Sequence, residues 1–549
     1  MRNIKKIIGI GPISAGIVLI SSGTGPEMQR TVQVDKKLPN FVFILADDLG
    51  WSDLGCYGSR FYETPSIDRL ASEGIRFTNA YAACHVSSPT RASILTGQYP
   101  ARLQLTDWLP GRNDFKFQKL LNVKSAQHLP YLKQNTFPSV LRDHGYETAI
   151  IGKWHLGEDS ASCERQGFNM HIPSGWMRGW PARSYFPPYQ MPGLADGPEG
   201  EYLTDRMTDE ALKFITANKS KPFLLYLAHY AVHDPIEGRP DLVKKYEQKL
   251  KNSIQQENAP FILEGNPDDN KTPPDKDKLI KLPEYQGYKV LPDRFVKIKQ
   301  NQDNVQFAGM VESLDQSVGR VLEKLKELNI EKNTVIIFVS DNGGMSAANF
   351  GNPKRIIQEN NLDRSYSTSN LPLRGGKGWL YEGGIRVPLI IKWPGHSKKG
   401  SVCDVPVIST DYYYTIIEMA GLSASRKDND GVSLVSLIEG NKKNKNYNIN
   451  NNKAYNRAIY WHFPHYSNHG MQSPGGAIRY GDYKLLEYFE NNTVQLFNIK
   501  ADPGEHHDLA ASMPEKAAEL KKMLHNWRVE TNARMMKPNE NYEPSLTIK

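Results

Sequence analysis

Four short, almost wholly apolar runs each stop on charged or metal-ligating side chains, and nothing else in the chain limits its fold as strongly. Phe41–Ala46 (FVFILA) runs into Asp47-Asp48, and Thr148–Ile151 (TAII) into Gly152-Lys153-Trp154-His155. Phe223–Ala228 (FLLYLA) leads to His229 and His233, and Val335–Val339 (VIIFV) to Ser340-Asp341-Asn342-Gly343-Gly344. Such runs read as strands buried on both faces, the habit of parallel sheets. A fifth run, Val387–Ile391 (VPLII), reads the same way. Between them, Thr204–Ile215 and Met310–Leu328 carry apolar residues at helical spacing, with Met310, Leu314, Val318 and Leu325 on one face. The alternation predicts an α/β fold with a mostly parallel sheet covered by helices on both faces. Open sheets of this kind bind ligands at the carboxyl ends of their strands. Polar residues end strands in any protein, but four ends bearing Asp, Asn, Lys and His point to a site.

The 549 residues allow one very large domain or two to four smaller ones. With 39% hydrophobic and 23% charged residues, a soluble globular protein with a sizeable core is expected. No run of about 20 apolar residues follows the N-terminus, which excludes a multi-span membrane protein. The formal net charge of +8 is spread among mixed signs, with no Lys/Arg stripe, so no nucleic-acid partner is expected. Arg2, Lys5 and Lys6 precede the apolar stretch Ile7–Ile20 and the small residues Ser21-Ser22-Gly23-Thr24. This is the pattern of a cleaved secretory signal over residues 1–25. The first cysteine is Cys56, so no membrane anchor is expected, and the mature chain belongs in the periplasm or outside the cell. Cys56, Cys84, Cys163 and Cys403 contain no CxxC pair, which removes support for a structural zinc site. In an exported chain they could form one or two disulfides, with the pairing left open.

Residues 26–440 are expected to form the catalytic domain, interrupted at 240–305 by a polar, Lys-rich surface insertion that reads as a solvated loop or, less commonly for such segments, a substrate-side lid. Residues 441–453 (NKKNKNYNINNNK) read as a low-complexity linker. The tail, 454–549, carries strand patterns at Ile459–Phe463, Ala477–Tyr480, Tyr483–Tyr488 and Val494–Asn498, with a hairpin signal at Gly481-Asp482 and a helix over Pro514–Thr531. A smaller C-terminal subdomain on an antiparallel sheet is expected there.

Asp47, Asp48, Asp341 and Asn342 offer oxygen ligands to a hard divalent cation, calcium or magnesium rather than zinc. In Ser87-Ser88-Pro89-Thr90-Arg91-Ala92-Ser93-Ile94-Leu95-Thr96-Gly97, the proline suits the first turn of a helix. Ser87 then sits where a helix N-terminus favours an anion, and Arg91 lies four residues on, on the same face.

With these residues the chain resembles a type I sulfatase of the alkaline-phosphatase superfamily, arylsulfatase-like. Ser87, Pro89, Arg91 and Thr96-Gly97 match the family pattern, in the serine-type form. The likeness continues through ADDLGWSDLGCYG, GKWHLG at 152–157, MVESLDQSVG, SDNGG at 340–344 and LRGGKGWLYEGGIRVP at 373–388. The resemblance implies an alkaline-phosphatase-like fold and hydrolysis of sulfate esters through a sulfo-enzyme intermediate. It implies that Ser87 is oxidised to formylglycine by a serine-type sulfatase-maturing enzyme and reacts as its gem-diol. It further implies that Asp47, Asp48, Asp341, Asn342 and the modified Ser87 bind one calcium ion. Arg91 and Lys153 would hold the gem-diol and sulfate, His155 would take the proton of the spare hydroxyl, and His233 and Lys377 would contact the sulfate and assist the leaving alcohol. His229, nearer its strand, is expected to be structural. A plain serine could accept a sulfo group but has no second hydroxyl with which to expel it.

The family look suggests a carbohydrate substrate, a sulfated galactose or N-acetylgalactosamine in a glycan. Leu105–Arg112 (LTDWLPGR) could shape the pocket rim, and Trp461, His462, His465 and His469 could either read a sugar or pack an interface. The alternative is a phosphatase or phosphonate monoester hydrolase of the same superfamily.

Overall fold

The computed structural model describes residues 38–130, 136–158, 162–252, 259–268, 275–423, 430–440 and 457–543. The expected signal segment and the stretch 441–453 lie outside the described residues. The central sheet has nine strands. In chain order they are β1 Asn40–Ala46, β2 Ile75–Tyr81, β3 Glu147–Gly152, β4 Met170–Ile172, β5 Phe223–Ala228, β6 Thr334–Ser340, β7 Arg386–Lys392, β8 Ser401–Cys403 and β9 Val407–Ile408. Their spatial order is β8-β2-β7-β6-β1-β5-β3-β4, with β9 also paired to β2.

β1 lies between two parallel partners, with Leu45 opposite Ala228 of β5 and Ala46 opposite Ser340 of β6. β3 joins β5 in parallel, with Gly152 opposite Ala228. Four carboxyl ends therefore come level at one edge, and the residues that follow them start from neighbouring points. β7 is a correction to the expected fifth parallel strand, because it runs antiparallel to both β6 and β2. Its apolar run reports burial on both faces, and burial carries no information about direction. β2 (IRFTNAY) went unread because its alternation with half-buried polar residues looks unlike the other strands.

The sheet divides two cores. Phe41, Phe43 and Leu45 of β1 face one, and Val42, Ile44 and Ala46 face the other. The first is closed by helices α2 Ser87–Thr96, α3 Phe137–Asp143 and α7 Asp411–Met419, the second by α1 Pro65–Glu73, α4 Leu203–Ala217 and α6 Val305–Glu327. Between α4 and α6, the Lys-rich segment is folded wherever it is described. Helix α5, Pro240–Asn252, buries Leu242, Val243 and Tyr246, and packs on α6. Phe261–Glu264 and Val296–Lys299 pair antiparallel over a small core of Leu263, Tyr285, Leu291 and Phe295. A few apolar residues at the right period are enough to order a segment whose composition reads as a loop.

The C-terminal strands β10 Ile459–Phe463, β11 Gly475–Tyr480, β12 Tyr483–Tyr488 and β13 Val494–Asn498 form an antiparallel sheet in sequence order. Helix α8, Pro514–Glu530, covers it with Leu520, Leu524 and Trp527, in a core that also takes in Tyr81, Trp379 and Tyr381. All four cysteines are free, so the possible disulfides are not formed. Among the described residues no helix is long and apolar enough to cross a membrane.

Candidate active site

Ser87 is the first residue of α2, entered from an extended Val86, and every residue of that helix is buried. Its Oγ donates to Asp47 Oδ1 (3.2 Å) and accepts from Lys153 Nζ (3.0 Å). Lys153 Nζ also donates to Asp47 Oδ2 (2.6 Å). One turn along the helix, Arg91 Nε and Nη2 both reach Asp341 Oδ2 (2.9 Å), and Nη1 donates to Lys153 O (3.3 Å). Asn342 Nδ2 donates to Asp48 Oδ1 (2.8 Å), Asp48 N to Asp341 Oδ1 (3.2 Å), and Lys377 Nζ to Asp48 Oδ2 (2.6 Å). Residues from three strand ends, one helix and the 373–388 segment thus close into one buried knot of three carboxylates and three cations.

The charges set one another. Burial, then Asp341, pushes Asp47 up to about 6. Burial acts the same way on Asp341 and Asp48, but Arg91 beside the first and Lys377 beside the second hold both below the usual carboxylate range. Burial also lowers Lys153, against the pull of Asp47. Two non-glycine residues here, Asp48 and His155, have left-handed backbones (φ 60° and 59°), a strained conformation that collects at functional sites.

His233 stands on the other side of Asp48, its Nε2 3.7 Å from Asp48 Oδ2, and its Nδ1 is 2.7 Å from Asp234 Oδ1. Asp234 was not singled out from the sequence, although its place directly after His233 is a signal that could have found it. Ligand atoms of Asp47, Asp48 and His233 lie within 4.8 Å of one another. His229 points elsewhere: it is fully buried and its Nε2 meets Ser317 Oγ of α6 (3.0 Å). The His155 ring lies edge-on to Trp180, and its Nε2 is 2.8 Å from Leu109 O. Because a carbonyl only accepts, Nε2 carries the proton and Nδ1, which has no partner, is left with its lone pair.

Above Ser87 opens a cavity of about 440 Å³, whose wall includes His155, His233 and Lys377. Asp107 and Trp108, from the expected rim, line it, as do Trp180 and Asn349, which the sequence reading missed. Of the four C-terminal aromatic and histidine candidates, only His469 reaches this wall. Trp461 Nε1 donates to Ala82 O, while His462 meets Arg534 O and His465 meets Thr106 Oγ1. Trp461 and His465 pack the junction, and His462 packs within the C-terminal part.

The family model for sulfatases matches residues 39–422. The chain belongs to the sulfatase family. This sulfatase is of type I, with the alkaline-phosphatase-like fold, and it is a hydrolase of sulfuric esters. A second family model, described as N-sulphoglucosamine sulphohydrolase, C-terminal, matches residues 376–533. The sulfatase is 29% identical to a "Sulfatase" of Formosa agariphila, over 97% of this chain and 95% of that one. It is 26% identical to an N-acetylglucosamine-6-O-sulfatase of Bacteroides thetaiotaomicron, over 92% and 88%. Among solved structures it is similar to Ps i-CgsB in complex with k-i-k-neocarrahexaose, at 27% identity and a TM-score of 0.64, over 89% of this chain and 93% of that one.

Proposed function

We propose that this sulfatase removes O-sulfate from carbohydrate chains of the galactose or N-acetylgalactosamine type, outside the cytoplasm, after a serine-type maturing enzyme has converted Ser87 to formylglycine. Residues 26–440 would form its catalytic domain and 454–549 its subdomain. One observation carries the reading: Ser87 Oγ lies against Asp47 and Lys153 on the floor of a cavity that also exposes His233 and Lys377. The oligosaccharide named for one solved relative and the amino-sugar sulfatase name of another support a carbohydrate substrate.

The oxygen-rich donor set of Asp47, Asp48, Asp341, Asn342 and residue 87 fits one calcium ion. Asn342 Oδ1 is a buried acceptor with no hydrogen-bond partner, and hard cations take such oxygens. Bound calcium would supply positive charge beside the reacting oxygen and favour its ionised form. Arg91 and Lys153 hold residue 87 in place. The hydrated aldehyde of a matured residue 87, with the attacking hydroxyl ionised by loss of its proton to solvent, would supply the oxygen that bonds to sulfur as the bond from sulfur to the sugar oxygen breaks, and His233 would give that sugar oxygen a proton. Lys377 offsets the charge that spreads over the sulfate. His155 would then take the proton of the remaining hydroxyl through Nδ1 as the aldehyde re-forms and sulfate leaves, and water would restore the hydrate.

Mass spectrometry of the peptide containing Ser87, after co-expression with a serine-type maturing enzyme, tests this. Loss of two hydrogens is expected. Full activity with an unmodified Ser87 would overturn the mechanism.

A further inference from the structure

The segment between β10 and β11 brings Asn468 and His469 to the wall of the Ser87 cavity. Its backbone is held from several sides. Arg112 Nη1 donates to Ser467 O (2.8 Å), and Phe350 N donates to Asn468 O (2.7 Å). His469 bridges Asn349 in antiparallel fashion, and its N donates to Ser467 Oγ (3.2 Å). Gly378, with a φ of +87°, lies so close that a Cβ there would come within 2.6 Å of His469 Cβ.

Despite this fixation, the polar atoms of both side chains are unused. The His469 imidazole has no hydrogen-bond partner among the described residues, although the residue is only 6% exposed. Asn468 Oδ1 is a buried acceptor, also without a partner. A buried acceptor left unpaired, such as Asn468 Oδ1, is destabilising and rare in native proteins. The charged groups nearest the ring are already engaged, Lys377 with Asp48 and Asp234 with His233. Burial keeps the ring neutral, at about 3, so it offers one donor and one acceptor. A neutral imidazole beside a carboxamide complements adjacent hydroxyls rather than a flat aryl group or a second anion.

We infer that His469 and Asn468 form a specificity subsite, supplied by the C-terminal sheet, that hydrogen-bonds hydroxyls of the sugar unit bearing the scissile sulfate. The inference rests on the sulfated-sugar reading above. It is tested on the matured full-length enzyme by comparing kcat/KM for 4-O- and 6-O-sulfated galactose and N-acetylgalactosamine with that for 4-nitrophenyl sulfate.

In His469→Ala and Asn468→Ala the sugar-to-aryl ratio is expected to fall at least about 10-fold, because the site's hydrogen bonds to the sugar are lost. His469→Gln, which keeps a donor and an acceptor, should recover part of it. An unchanged ratio, or an equal loss on both esters, overturns the inference by reducing His469 to a structural role. Should an alanine variant fail to fold, judged by its Tm, the ratio in His469→Gln decides. A wild-type enzyme that cleaves the aryl ester and none of the sugars sinks the substrate reading instead, and the subsite with it.

Discussion

At Arg91 three nitrogens serve two purposes: Nε and Nη2 hold Asp341, and Nη1 holds the carbonyl of Lys153. A lysine has one nitrogen and cannot do both. Arg91→Lys is therefore expected to lose about 1.5–3 kcal/mol in urea unfolding, the worth of a charged hydrogen bond, and to lower aryl-sulfate turnover sharply. Asp47 gives a pH prediction. Burial, then Asp341, raises it to about 6, and a carboxyl raised in the folded state adds stability that is complete below its unfolded value. That stability is lost as pH rises from about 4 through about 6. Calcium requires the ionised form, so its binding weakens over the same window as pH falls. Adding calcium should raise Tm more at pH 8 than at pH 5, and a chelator should remove the difference. A calcium shift as large at pH 5 would refute the assignment of Asp47 as a ligand. Asp47, Lys153 and Asp341 were legible in the sequence because they closely follow strands too apolar to be mistaken, and Arg91 because it lies four residues after Ser87. Asp234 and Trp180 were not, because their places depend on how the loops return to the cavity.

Among the elements, α2 matters most, and its start was readable. Gly97 closes it at a φ of 70°, where a Cβ would meet Tyr413 Cβ at 3.0 Å. Gly97→Ala should cost about 1–2 kcal/mol for the left-handed backbone alone, with the contact to α7 adding to that. The loss would be read as a lowered urea midpoint with an unchanged m-value. Helices α4, α6 and α8 lie within a few residues of their expected spans, because a one-sided apolar period both predicts and causes their packing. The direction of β7 was illegible for a related reason. A strand covered on both faces shows the same apolar run whichever way it points, and only the connection before it sets the direction.

The whole molecule holds its cavity together from two parts, since the wall is shared between the parallel sheet's loops and the C-terminal sheet. A buried ion cluster helps to tie them. Lys484 of β12, fully buried, lies 3.0 Å from Glu382 Oε1 in the segment before β7 and 2.9 Å from Glu505 Oε1. Glu505 is raised to about 7 by burial, although Lys484 pulls it down. Glu382, helped by Lys484 and Arg386 against its own burial, is held low. No sequence pattern announced this cluster, because its members are far apart in the chain and each reads as an ordinary surface charge. Lys484→Met keeps the volume and removes the cation that both carboxylates share. Stripping one partner from a buried pair costs about 3–5 kcal/mol, so a large drop in Tm is expected at pH 8. At low pH the loss is smaller. Without Lys484, Glu505 is raised further and Glu382 loses the largest pull that holds it low, so protonation of the two carboxyls restores part of the lost stability as pH falls. The gap between variant and wild type should therefore narrow at pH 5. A gap independent of pH would mean that lost packing, not buried charge, is what Lys484 prevents.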